Sequence, residues 1–203
     1  MSNKKQETRS IGLEIRAKED SRRVEGYALL FDTPSDRMPY VEVIDRSAMD
    51  GVIEKSDVFA LLNHDNSRGI LGRSMNGKGS LKLTIDDRGL KYSFEAPKTA
   101  LGDELLEYLR RGEVTESSFA FTVREDEILR NADGSIKRTI KKYDRLYDVS
   151  PVFRAAYSST NVYARSVEEM QKELDELEAR KKKEEKGEEI PESYYTEIEN
   201  SFK

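Results

Sequence analysis

The chain has 203 residues, of which 37% are charged and 36% hydrophobic, and a net charge of −5 at neutral pH. That length fits one domain with extensions, and the mixed, slightly acidic charge lacks the basic face that nucleic-acid binding requires. With no cysteine there is no disulfide framework, no thiol nucleophile and no thiolate metal site, and no apolar run approaches the roughly 18–20 residues that cross a bilayer.

Taken in order, residues 1–9 lack the apolar stretch of a signal peptide and read as a disordered lead-in. The absence of cysteine fits an intracellular protein. Ile11, Leu13 and Ile15 alternate with Gly12, Glu14 and Arg16, the period of a half-buried strand. Residues 24–31 make a second predicted strand, joined to the first by a hairpin turn at Asp20-Ser21. Asp32-Thr-Pro-Ser-Asp36 has loop chemistry. Residues 40–44 read as a strand, and Asp45 as the N-cap of a short helix. Residues 58–65, Val-Phe-Ala-Leu-Leu-Asn-His-Asp, read as a buried strand that delivers His64 to its end; His64 is the only histidine. Leu81, Leu83 and Ile85, then Leu90, Tyr92 and Phe94, alternate about Asp86-Asp-Arg-Gly89 and predict a β-hairpin.

The period then changes. Leu101, Leu105 and Leu109 recur every four residues with Leu106 beside them, which predicts an amphipathic helix stopped by Gly112. Residues 117–123 and 139–149 read as strands on either side of the turn Asn131-Ala-Asp-Gly134. Many strands, few helices and no regular β-α-β alternation predict an α+β fold, a mainly antiparallel β-barrel with flanking helices. Val167, Met170, Leu174 and Leu177 sit at a/d spacing in a charged background, so a charged C-terminal helix is expected from about residue 167, ended by Gly187. The chain thus divides into a lead-in (1–9), a folded domain (10–165) and a charged helical and flexible tail (166–203).

Histidine is the side chain that most readily carries a proton near neutral pH. A serine hydroxyl needs such a base to become a nucleophile, and the base needs an acceptor to fix its tautomer. With one histidine the base is His64. Ser118 lies at a loop-to-strand junction, where it is held by rigid neighbours; Ser117 is its rival, and strand alternation puts the two on opposite faces. Asp148, at the end of a strand, is the candidate acid. Asp65 is the weaker candidate, because adjacent side chains on a strand point apart. His64 and Asp65 without a second histidine or any cysteine are unlike a zinc site.

Asn63-His64-Asp65, then Ser118-Phe-Ala-Phe121, then Asp148-Val-Ser-Pro-Val152 with Ala156-Tyr157 and Thr160, resembles the tailed-phage prohead proteases. These are serine peptidases that mature the capsid. Ile70-Leu-Gly72, Gly89-Leu90 and the helix before the serine add to the likeness, which covers about residues 10–165. The family is similar in fold to the herpesvirus assemblins, a β-barrel surrounded by helices. The resemblance implies His64 as base, Ser118 as nucleophile and Asp148 as third member, with no cofactor. Asp148 stands where the family more often has Glu, and Ala120 where it often has Gly. An oxyanion hole would come from backbone N–H groups near the serine or from a cation, for which Arg154 is the candidate. The implied substrates are the scaffolding segment of the major capsid precursor and the protease itself, inside the immature capsid in the host cytoplasm, with no nucleic-acid or membrane partner. Assemblin-like enzymes imply a homodimer. The alternative is a non-catalytic capsid-assembly or scaffolding module on the same fold, with the tail helix as its working part. A third reading is an esterase or amidase built on the same three residues.

Overall fold

The structure, a computed structural model, describes residues 5–11, 15–17, 21–35, 38–153 and 167–185. The chain begins with strands β1 (Glu7–Ile11), β2 (Arg16–Ala17), β3 (Arg23–Leu30) and β4 (Val41–Ile44). Then come β5 (Asp57–Ala60), β6 (Gly72–Met75), β7 (Lys78–Gly79), β8 (Lys82–Ile85) and β9 (Gly89–Glu95). Helix α1 (Ala100–Arg111) leads into two long strands, β10 (Val114–Arg130) and β11 (Ile136–Phe153), and helix α2 (Val167–Glu185) follows. The fold is mixed α+β and strand-rich, as expected. No helix among the described residues is long and apolar enough to cross a membrane.

Among the described residues the expected barrel does not close. The strands there form two sheets, one ordered β1-β10-β11-β5-β6-β7 with β4 also on β11, the other ordered β2-β3-β9-β8. The reason lies in β10 and β11. They pair antiparallel from Val114–Phe153 to Arg130–Ile136, β1 takes the outer edge of β10, and β4 and β5 run parallel along β11. Their edges are therefore satisfied within the first sheet, and the second sheet shares a core with it. Val24, Leu29, Leu90, Tyr92 and Phe94 of the second sheet join Phe119, Phe121, Tyr143 and Val149 of the first in one buried core. Close approach is possible at Gly26, where a Cβ would lie 3.0 Å from the Tyr92 hydroxyl and 3.2 Å from Ser117 Oγ.

Local signals set the other elements. Thr99 Oγ accepts from the Gly102 N–H at the start of α1, and Gly112 ends the helix in the left-handed conformation (φ 70°). The Asp86 carboxylate accepts from the N–H groups of Arg88 and Gly89 and turns β8 into β9. Asp45 caps a 3₁₀ turn over Arg46–Met49. Met170 and Leu174 of α2 are buried with Tyr40, Ile128 and Ile136, and Arg130 bridges to Asp175 and Glu178. The tail helix thus packs on the far end of the β10–β11 hairpin.

Three expectations need correction. The first predicted strand, at residues 11–15, is split: Ile11 ends β1 on the first sheet, and β2 begins at Arg16 on the second. The apolar run at residues 58–65 stays in strand only to Ala60, so His64 lies in a turn. Residues 7–9, assigned to a disordered lead-in, belong to β1, and Glu7 and Arg9 are buried.

That burial of a charged segment has a specific cause. Arg9 donates to Glu42 from Nε at 2.6 Å and from a terminal nitrogen at 2.8 Å, and to Glu7 at 2.6 Å. Arg138, 2% exposed, donates to both oxygens of Glu7 at 2.7 and 2.8 Å, to Glu42 at 3.0 Å and to Asp126 at 2.7 Å. Burial alone would raise the Glu7 pKa, but hydrogen bonds and charge from Arg138 and Arg9 outweigh it and hold that carboxyl below its ordinary value. Burial is also the main reason the Tyr40 hydroxyl beside the cluster is pushed up to about 12.

A carboxyl with a lowered folded-state pKa contributes stability that is complete above its unfolded value of about 4.3 and is lost as pH falls through the lowered value. Arg138→Met would leave buried carboxylates short of a cation and is expected to cost about 3–5 kcal/mol at pH 7 in urea unfolding. The gap to the unsubstituted protein should narrow below about pH 4. A gap that holds constant to pH 3 would show that these charges do not stabilise the fold.

Candidate active site

Pairing of β10 with β11 sets two of the three candidate residues. Ser118 lies opposite Ser150, and Ala120 opposite Asp148. Side chains alternate along a strand, so Phe119 and Phe121 enter the core while Ser118 and Asp148 share the other face as diagonal neighbours. Ser117 goes inward with the phenylalanines, where its hydroxyl and that of Tyr92 share a hydrogen bond of 2.8 Å.

His64 reaches the same face from the turn after β5. Its Nδ1 is 2.6 Å from Asp148 Oδ1 and its Nε2 is 2.6 Å from Ser118 Oγ. The structure therefore brings His64, Ser118 and Asp148 into one hydrogen-bonded line and leaves Ser117 out of it. Asp65 is also apart, because its carboxylate accepts from the N–H and the hydroxyl of Ser67 and caps a 3₁₀ turn over Asn66–Arg68. Arg154 lies outside the described residues. The aspartate side chain is long enough to meet the ring, and Ala120 fits beside Ser118 with 1% exposure.

The turn that presents His64 is unusual. Asn63 and His64 both have left-handed backbone, with φ of 54° and 60°. Consecutive non-glycine residues there cost on the order of 1–3 kcal/mol each and persist only when their surroundings hold them. Asn63 is clamped to the end of β11 at both ends: its N–H donates to the Pro151 carbonyl at 3.0 Å, and its Oδ1 accepts from the Phe153 N–H at 3.0 Å. The Asp65 N–H closes the turn on the Leu62 carbonyl at 3.1 Å.

Two further contacts touch the line. Ser150 Oγ donates to Asp148 Oδ1 at 2.7 Å, so that carboxylate oxygen serves both the imidazole and a buried hydroxyl. Ser118 Oγ also donates to the Arg9 carbonyl of β1 at 2.8 Å. Ser150 and Asn63 belong to the runs that carry the family resemblance, without a part of their own there. The Asp-Val-Ser spacing carried the signal for Ser150, since residues two apart on a strand share a face. Arg9 left no local signal, because its partners are distant in the chain.

The geometry suits activation of a hydroxyl. With a proton on Nδ1 held by Asp148, Nε2 is the acceptor that faces Ser118. Ser118 is fully buried and the His64 side chain is 27% exposed, so the ring is the part of the line nearest solvent. No group of three or more histidine or acidic side chains among the described residues is placed to hold a metal ion.

Asn63→Gly keeps a backbone free to adopt positive φ but removes the bond to Phe153, and is expected to cost about 1 kcal/mol. Asn63→Ala adds left-handed strain of about 1–2 kcal/mol. The expected order of urea midpoints is native, then Gly, then Ala. Equal midpoints for Gly and Ala would show that the left-handed turn is not held in solution.

A family model described as the caudovirus prohead serine protease matches residues 11–173. Among solved structures, that of the bacteriophage T4 capsid assembly protease aligns over 75% of this chain and 99% of its own, at 8% identity and a TM-score of 0.46. No curated protein matches the sequence.

Proposed function

The chain belongs to the caudovirus prohead serine protease family, and from that premise we propose that Ser118, His64 and Asp148 are its catalytic residues. The observation that carries this reading is the pair of 2.6 Å contacts that His64 makes, one through each ring nitrogen. Ser118 Oγ attacks the scissile carbonyl carbon while His64 Nε2 takes the hydroxyl proton. Asp148 holds the ring through Nδ1 and stabilises its positive form. The tetrahedral intermediate collapses when His64 returns the proton to the leaving amine. Water then repeats the sequence on the acyl-enzyme and frees Ser118.

Ser150 is a positioning residue in this scheme. Its hydroxyl fixes the carboxylate oxygen that faces the imidazole. The substrate is an extended segment of the capsid precursor, the scaffolding part that is removed as the shell matures, together with the protease's own chain. The reaction takes place inside the immature capsid in the host. The catalytic domain includes β1 to β11, and α2 packs on the β10–β11 hairpin.

Intact mass over time, for the protein incubated with its capsid precursor, tests this reading. The unsubstituted chain is expected to cut and Ser118→Ala to leave both proteins whole. Asp148→Asn should lower turnover by about 10⁴-fold, because an amide favours the wrong tautomer. Ser150→Ala, which removes one hydrogen bond to a charged acceptor, should lower it by roughly 10- to 100-fold. Equal cutting by the native protein and Ser118→Ala would sink the nucleophile assignment.

A further inference from the structure

A nucleophile must be reached by its substrate, yet Ser118 is fully buried. One of its partners is the base. The other is the carbonyl of Arg9, on a strand far earlier in the chain. β1 lies antiparallel on β10 with Glu7 opposite Phe121 and Ser10 opposite Ser118, so it covers the edge of the nucleophile strand on both sides of that residue. An unpaired strand edge is where an extended peptide adds by main-chain hydrogen bonds. Here that edge is already taken.

We propose that β1 is an autoinhibitory strand, which occupies the edge of β10 that an extended substrate would use and must be displaced before Ser118 can act. This inference rests on the reading of Ser118 as nucleophile.

Proton placement supports it. The serine hydroxyl has one proton and two oxygen or nitrogen neighbours that compete for it, His64 Nε2 at 2.6 Å and the Arg9 carbonyl oxygen at 2.8 Å. A proton directed to Arg9 is withheld from the base. The resident carbonyl is also posed wrongly for reaction. Attack needs the carbonyl carbon in front of Oγ and the oxygen turned toward other donors. The Arg9 oxygen itself points at the hydroxyl and accepts from it. β1 is therefore a strap and not a substrate.

Its fastening suits a reversible device. Among the described strands β1 is the end strand of its sheet and pairs with β10 alone, so its departure breaks that one ladder. Its side-chain anchors are ionic: Arg9 to Glu42 on β4, and Glu7 to Arg138 on β11. Buried ion pairs fix position strongly, and part of their attraction is offset on release by the hydration that the leaving charges regain. An apolar strand of the same length would lose that compensation on release. The strap is held in one register without being welded down.

The test uses the full chain, which has no native cysteine. Thr8 and Ala120 lie directly opposite each other across β1 and β10. Facing residues on antiparallel strands have the Cα separation a disulfide requires. Thr8→Cys with Ala120→Cys therefore locks β1 when oxidised and frees it when reduced. The readout is covalent modification of Ser118 by a fluorophosphonate, followed by intact mass with Ser118→Ala as the blank. The oxidised form is expected to react at least about tenfold more slowly than the reduced form, since the competent population is removed.

Equal rates in the two redox states would overturn the strap and leave Ser118 as nucleophile. No modification in either state, with precursor still cut by the native protein, would overturn the nucleophile and the strap together. Loss of residues 1–9 during incubation would make β1 a substrate and overturn the proposal. If the cysteine pair fails to fold, Arg9→Lys gives an independent test, because lysine cannot fork across Glu42 as arginine does. Faster hydrogen exchange over residues 7–11 should then come with faster labelling. Faster exchange with unchanged labelling overturns the strap.

Discussion

The antiparallel register of β10 on β11 is the constraint on which the rest depends. It places Ser118 opposite Ser150 and Ala120 opposite Asp148. Diagonal neighbours on one face of such a pair are roughly 7–8 Å apart, wide enough for an imidazole with a hydrogen bond on each side. A shift by one residue would turn Ser118 into the core and bring Ser117 outward. The aromatic packing of Phe119 and Phe121 against Tyr143 resists that shift, because it would expose both rings. Core packing on one face therefore fixes the candidate site on the other.

His64 is delivered by a different device. Strands could not place it, because β5 ends at Ala60 and the ring must project from a turn. Two left-handed residues give it that direction, and the bonds from Asn63 to Pro151 and Phe153 tie the turn to the strand that carries Asp148. His64 and Asp148 are thus mounted on one clamped unit. Such strain at a site is common where the surrounding contacts over-determine the backbone.

The buried charges on the core side of β1 answer a separate need. Glu7, Arg9, Glu42 and Arg138 join strands from three parts of the chain, and none of the four contacts Ser118 through its side chain. An apolar cluster would hold β1 by area alone, in several registers. Paired charges hold it in the one register where every charge is matched. In that register the Arg9 carbonyl meets the Ser118 hydroxyl.

Much of the site could be read from the residues alone. A single histidine leaves one candidate base, strand alternation separates Ser118 from Ser117, and Gly112 marks the end of α1. These signals act over a few positions, so the sequence carries them directly. Tertiary structure decided the rest. Whether β1 is strand or lead-in depends on partners 33 and 131 residues away, at Glu42 and Arg138. The meeting of His64 with Ser118 and Asp148 spans 54 and 84 residues. The closure of a barrel was wrongly expected because edge pairing is a property of the assembled sheets. A charged segment such as Glu-Thr-Arg is favourable inside only when opposite charges converge on it from elsewhere, and no local pattern records that convergence.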